Sequence, residues 1–221
     1  MNWSDISLWQ FQQLYALKQA DSTHEKLIGI LHDMTDRQVA ELTQRDKIRL
    51  SLGLNFLNTE PDTRLVDIIK TEGREYSTKF NVRKMPAARY IEVKHFGGDV
   101  FGNMHQIAAS MVTPKFEVYD AFNHADYAED MQNARFVDVY GSVIKFLQGI
   151  NNLDQNFATL WEGGGEGGKT NFPKVYGWHF HAERVAEMER IPLAEAYELP
   201  TINFLNDLSY LMAKDNYLRQ D

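Results

Sequence analysis

Within the first sixty residues, a hydroxyl residue repeatedly stands directly before a stretch of helix length. Ser7 precedes LWQFQQLYALKQ, Thr23 precedes HEKLIGILHDM, Thr35 precedes DRQVAEL and Thr43 precedes QRDKIRLSLGLNFL. A hydroxyl placed there accepts a hydrogen bond from a first-turn N–H that has no partner inside the helix. Recurrence of this device commits the start of the chain to short helices rather than to a sheet. The apolar spacing agrees: Leu8, Phe11, Leu14, Tyr15 and Leu17 share one broad helical face, as do Leu27, Ile28 and Leu31. Ile6, just before the first cap, is placed to staple that helix, and NTEPDT at 58–63 closes the block.

The period then changes. RLVDIIK and REYSTKFNV flank TEG, with Gly73 suited to a tight turn, which predicts a β-hairpin near 64–82. Pro86 suits the first turn of a helix over PAARYIEVKHF. GGDVFG reads as a loop, NMHQIAASMV as a short helix stopped by Pro114, and YAEDMQNARFVDVYGSVIKFLQGI as one or two helices. Phe136, Val139, Val143, Ile144 and Leu147 form their expected buried set. Beyond the glycines, two or three helices are expected, with Thr201 capping the last and Phe204, Leu205, Leu208, Leu211 and Met212 facing inward. The predicted fold is therefore α+β and predominantly helical. It comprises a mainly helical body over 1–160, a glycine-rich linker over 161–171 and a small helical unit over 172–221, too short to hold much core alone.

Composition narrows the function. With 43% hydrophobic and 12% aromatic residues, the 221-residue chain can bury a sizeable core. The formal charge is -8, and lysines and arginines sit singly among acids, which argues against phosphate-backbone binding and hence against nucleic acid. The chain has no cysteine, which removes disulfides, thiolate metal sites and cysteine nucleophiles. The N-terminus shows no secretory pattern, and no apolar run approaches the ~20 residues that span a bilayer. A cytoplasm is the expected compartment, with no membrane partner.

Two motifs suggest chemistry. GGGEGGKT at 163–170 matches the phosphate-loop pattern with Gly163, Gly168, Lys169 and Thr170. That loop needs a strand entering it and a helix leaving it. Here NFATLWE enters, Pro173 follows closely, and Glu162 and Glu166 would repel phosphate. A linker is the simpler reading. In WHFH, His179 and His181 could chelate a metal from a strand, but the run into AERVAEMER reads as helix, where they diverge. No carboxylate pair stands out, and no serine sits in a nucleophile elbow. A nucleotide- or metal-binding enzyme remains the lesser alternative. The expectation is no catalytic residue, no cofactor and no metal.

Aromatic residues offer contact instead. Trp3 and Trp9 lie near the N-terminus, and Tyr176, Trp178 and Phe180 stand together after the glycines. Such side chains bury much area and keep a polar handle, so they serve either internal packing or a partner surface. Trp9, Phe11, Tyr176, Trp178 and Phe180 are the candidate partner-binding residues.

Several stretches together resemble one family. They are WSDISLWQFQQLYAL followed by LGLNFLN, then Tyr90, Ile91 and Glu92, then Asn103, His105, Ile107 and Ala108, and finally YGWHFHAERVAEMERIPLAEAYELPTINFLNDLSYLMAKD. This order resembles phage proteins of the tail-morphogenesis region, of the tail assembly chaperone-like type. The chain departs from them in YGW for WGW, in the acidic glycine linker and in a polar 115–135 segment. The resemblance implies a non-catalytic virion-morphogenesis factor that binds phage tail or other virion proteins in the host bacterial cytoplasm. A structural tail, neck or connector-ring subunit within the virion is the alternative, and self-association is compatible with both.

Overall fold

The computed structural model describes residues 1–18, 23–162 and 172–218. GGGEGGKT and nearly all of the expected 161–171 linker lie outside them. The described chain is predominantly helical with one small antiparallel sheet, an α+β fold. Among the described residues no helix is long and apolar enough to cross a membrane. The chain divides into two compact units, each assembled from two separate stretches.

The first unit comprises 1–79 and 96–145. It opens with α1 (Leu8–Lys18), α2 (His24–Leu31), α3 (Asp36–Glu41) and α4 (Gln44–Leu52). Each expected cap operates. Ser7 Oγ accepts from the Gln10 N–H at 3.1 Å, Thr23 from Lys26 at 3.3 Å, Thr35 from Gln38 at 3.3 Å and Thr43 from Asp46 at 3.2 Å. Gln10 and Gln38 reach back to the cap N–H groups, closing reciprocal boxes. The end of α2 turns through Asp33 at φ 51, and the Met34 N–H reaches the Gly29 carbonyl at 2.8 Å. This is the wrapped C-terminus usually given to glycine, here made by an aspartate.

The hairpin is present but shorter than 64–82. β1 (Ile68–Lys70) pairs with β2 (Glu75–Ser77), Ile69 facing Tyr76, around Gly73 at φ 95. A third strand, β3 (Thr113–Pro114), pairs with the other side of β2, so Pro114 does more than stop a helix. It stands at the sheet edge, where a missing N–H costs no ladder bond.

Helices α5 (Ala87–Phe96), α6 (Met104–Met111), α7 (His124–Asn133) and α8 (Phe136–Asn156) follow the hairpin in chain order. In the first unit, α7 packs on α6 and α1. Trp3, Phe11, Phe56 and Phe136 form an aromatic cluster there, with Phe11 stacked on Phe136 at 4.1 Å and 15°. Along α8 the buried stripe runs Val139, Val143, Phe146, Ile150 and Leu153, while Ile144 and Leu147 of the expected set are only half-buried. Phe146 and Ile150 continue the i, i+3/i+4 spacing from Val139 and Val143, whereas Ile144 and Leu147 lie one position to its side.

The second unit comprises 80–95 and 146–221. It holds most of α5, the end of α8, α9 (Ala158–Glu162), α10 (Phe172–Glu189), α11 (Leu193–Glu198) and α12 (Thr201–Leu218). The sequence reading set 80–95 and 146–160 with the N-terminal body; the contacts group them with the C-terminal helices. Backbone bonds explain this: the Ala87 N–H donates to the Leu199 carbonyl and the Thr201 N–H to that of Met85, both at 2.9 Å. Thr201 is therefore no cap. It is a buried first-turn residue whose hydroxyl donates to the Met85 carbonyl at 2.8 Å. Phe204, Leu205 and Leu208 are buried as expected, whereas Leu211 and Met212 are half-buried near the fraying end. The added segments bring Tyr90, Val93, Phe146 and Leu153 to the unit's buried set, so it does not depend on a fifty-residue core.

Glycine at 141 is required by a close approach. A Cβ there would lie 2.4 Å from the Arg64 carbonyl oxygen and 2.7 Å from the Thr63 carbonyl carbon. Within a helix, Gly→Ala ordinarily stabilises by about 1 kcal/mol, but overpacking against backbone costs ~1–3 kcal/mol. Gly141→Ala should therefore lower stability by a net ~0–2 kcal/mol. Gly97→Ala, which meets nothing within 4 Å, should stay within ~0.5 kcal/mol of the parent. Urea denaturation midpoints check both; a stabilised Gly141→Ala would refute the close contact.

Candidate partner-binding surfaces

The five candidate contact residues fall in different settings. On α1 of the first unit, Trp9 is 49% exposed, while Phe11 is half-buried in the aromatic cluster. Two residues apart on a helix point to different sides, so one aromatic packs and the other faces solvent. Trp9 borders an open cleft of about 490 Å³ between α1 and the α2–α3 turn, with Lys26, Asp33 and Asp36 also on its walls. Gln10 braces that turn, donating to the Ile30 carbonyl and to Asp33 Oδ1, both at 3.1 Å.

On α10 of the second unit, Tyr176 and Phe180 are one turn apart and 53% and 41% exposed. The Arg184 guanidinium lies 5.8 Å from the Phe180 ring and is held by Asp215 of α12 at 2.8 Å. Trp178 turns the other way and meets Tyr90 edge-on at 5.8 Å and 87°. Its role is thus at least partly internal.

The histidine pair diverges as the helical reading requires. His179 Nδ1 sits 3.1 Å from the Tyr197 hydroxyl and its Nε2 3.5 Å from Glu183, while His181 packs between Trp178 and Phe180. Among the described residues no group of three or more His, Cys, Asp or Glu side chains could hold a metal ion. Approaching the glycine motif, the chain is helical in α9, where a phosphate loop needs a strand. It leaves as α10 with Pro173 in the first turn, a position that tolerates proline, so the expectation that Pro173 opposes a helix fails.

Two carboxylates carry unusual environments. Asp130 accepts from the Tyr76 hydroxyl and from Arg74 at 3.1 Å; Asp154 accepts from the Tyr90 hydroxyl and from Lys94 at 2.9 Å. Burial first, then the neighbouring carboxylate, pushes both phenols well above their ordinary range. A phenol held protonated is a steady donor to its carboxylate.

The sequence reading missed a third surface. It treated 115–135 as merely polar, yet Phe116, Val118 and Phe122 are 88%, 89% and 98% exposed in the connection between β3 and α7. The signal was present in KFEVYDAF, where apolar residues alternate with acids. Comparison with protein families, with characterised proteins and with solved structures gives no match.

Burial also sets a pH response. His105 is held below its ordinary pKa by burial, then by His124; His181 by burial, then by Arg184. Both are lowered in the folded state, so the unfolded chain takes up protons first as pH falls below ~6.5. Their contribution is complete above that pH and is lost below it. Urea midpoints should fall between pH 7.5 and pH 5.5, and His105→Gln should flatten the slope. An unchanged slope in His105→Gln would contradict the burial assigned to that ring.

Proposed function

We propose that this chain is a non-catalytic bacteriophage virion-morphogenesis protein that binds other phage structural proteins, most simply as a tail assembly chaperone-like factor in the host cytoplasm. The observation carrying this reading is large apolar side chain left outside the core on regular helices. Trp9 is half exposed on α1, and Tyr176 and Phe180 are exposed on α10. Exposed aromatics of this kind favour contact with another polypeptide. The resemblance to tail-morphogenesis proteins supplies the identity of that polypeptide, a tail or other virion protein.

A chaperone role follows physically from partial burial. Helix faces that cover an unassembled subunit release it once assembly buries the same surface more completely. A structural place in a tail, neck or connector ring is the second reading. It is favoured by the apolar 115–123 segment, since a surface held permanently outward suits a permanent neighbour.

Tagged protein recovered from infected-cell lysate should bring tail or virion proteins with it. Trp9→Ala, and Tyr176→Ala with Phe180→Ala, should each weaken that capture by about tenfold or more. Recovery of no virion protein by the parent chain would refute the proposal. Mass spectrometry of purified particles then separates the roles: absence means a chaperone, stoichiometric presence a structural part.

A further inference from the structure

The first unit carries two exposed apolar patches of opposite electrical character. One is the segment from Lys115 to Asn123. Its large side chains point outward although its backbone is held. The Lys115 N–H donates to the Glu75 carbonyl at 2.9 Å, and the Tyr119 ring packs on Tyr127 at 5.5 Å. Asp120 Oδ1 accepts from the Phe122 N–H at 2.9 Å. Phe116, Val118 and Phe122 are thus presented by an anchored loop, not by a loose tip. Glu117 and Asp120 lie within the segment and Asp126 and Glu129 follow it in the chain, while Lys115, 5.2 Å from the Phe116 ring, is paired with Glu75 at 2.7 Å.

The other patch lies on α4. Arg45, Ile48, Arg49 and Leu52 recur at helical spacing and share one face. Ile48 is 56% and Leu52 67% exposed, unusual for a face with a packing role. Lys47, off that face, is tied to Glu25 of α2 at 2.6 Å and marks the inward side of the helix. Arg49 has only a loose link to Asp46 at 3.4 Å and keeps most of its side chain in water.

We propose that the 115–123 loop of one copy docks on the Arg45–Leu52 face of α4 in a second copy, joining copies head to tail. Each patch offers what the other lacks: three apolar side chains in an acid-rich segment against two flanked by Arg45 and Arg49 on one helix face. Pairing like with like is opposed, because loop on loop would crowd acids and α4 on α4 would crowd arginines. A contact between two different patches is heterologous and generates a ring if its rotation closes, or a filament if it does not. Two phenylalanines and a valine bury roughly 500 Å², below the ~800 Å² per partner of a stable interface. A single contact is accordingly weak and concentration-dependent, and ring closure would add avidity. The inference stands on surface chemistry alone and is independent of the virion reading.

Sedimentation velocity on the purified chain tests it without any lysate, so its failure is distinct from failure of partner capture. The parent should pass from monomer to larger species between roughly 10 and 300 µM, the range of weak interfaces. Phe116→Ser with Phe122→Ser, and Ile48→Ser with Leu52→Ser, should each remain monomeric throughout. Mixed in equal amounts, the two variants should form a 1:1 dimer and nothing larger, because each retains one intact face. Glu117→Lys and Arg49→Glu form a charge-reversed pair that keeps the apolar residues: each should weaken self-association, and the two mixed should restore it. This pair serves if circular dichroism shows a serine variant unfolded. A parent that stays monomeric at the highest concentration, association untouched by these variants, or mixtures that stay monomeric would each overturn the proposal.

Discussion

The same backbone device closes both units. The first-turn N–H of a helix has no partner within that helix, and burying it unpaired is costly. In the first unit, the Leu8 N–H finds the Ala134 carbonyl and the Phe136 N–H the Ile6 carbonyl, both at 2.9 Å, across a bridge between Ser7 and Arg135. In the second, Ala87 and Thr201 do the same with Leu199 and Met85 across a bridge between Pro86 and Pro200. Four helix starts thereby become two mutual caps. Proline suits the second bridge because the bonds flank the bridging residues, whose own N–H is not needed. It also fixes its own φ near the helical value and holds the preceding residue extended, as Leu199 is at φ -56 and ψ 143.

Around these closures, each unit sets a half-buried carboxylate between a phenol and a cation. Asp130 takes Tyr76 and Arg74; Asp154 takes Tyr90 and Lys94. Both tyrosines are fully buried. Such hydrogen bonds add about 1–3 kcal/mol each when an ionised acceptor is involved, and losing the donor leaves the carboxylate poorly solvated. They fix where α7 sits on the sheet and where α8 meets α5. With the frame set, large apolar side chains that remain outside are features of the surface rather than faults in packing.

Local chemistry was legible in the sequence and distant pairing was not. The hydroxyl caps at 7, 23, 35 and 43, the Gly73 turn and the helical character of WHFH each depend on residues within a turn of one another. The bond from Thr201 to Met85 joins positions 116 residues apart, and no periodicity announces it. It makes Thr201 a buried first-turn residue rather than a cap, and it ties 80–95 to the C-terminal helices. β3 escaped notice because two residues, one of them proline, carry no alternation. The 115–123 surface escaped because its acids lowered the apparent hydrophobicity of a segment that holds Phe116, Val118 and Phe122.

A scaffold that closes itself by backbone bonds can hold contact surfaces outward without spending them on its own core, which is what a protein acting through polypeptide contacts requires. Residue-resolved amide hydrogen exchange tests that frame most directly. The N–H groups of Leu8, Ala87, Phe136 and Thr201 occupy first-turn positions that ordinarily exchange fast. The account predicts that they exchange as slowly as amides in the middle of α8. Exchange at the rate of unprotected first-turn amides would contradict it.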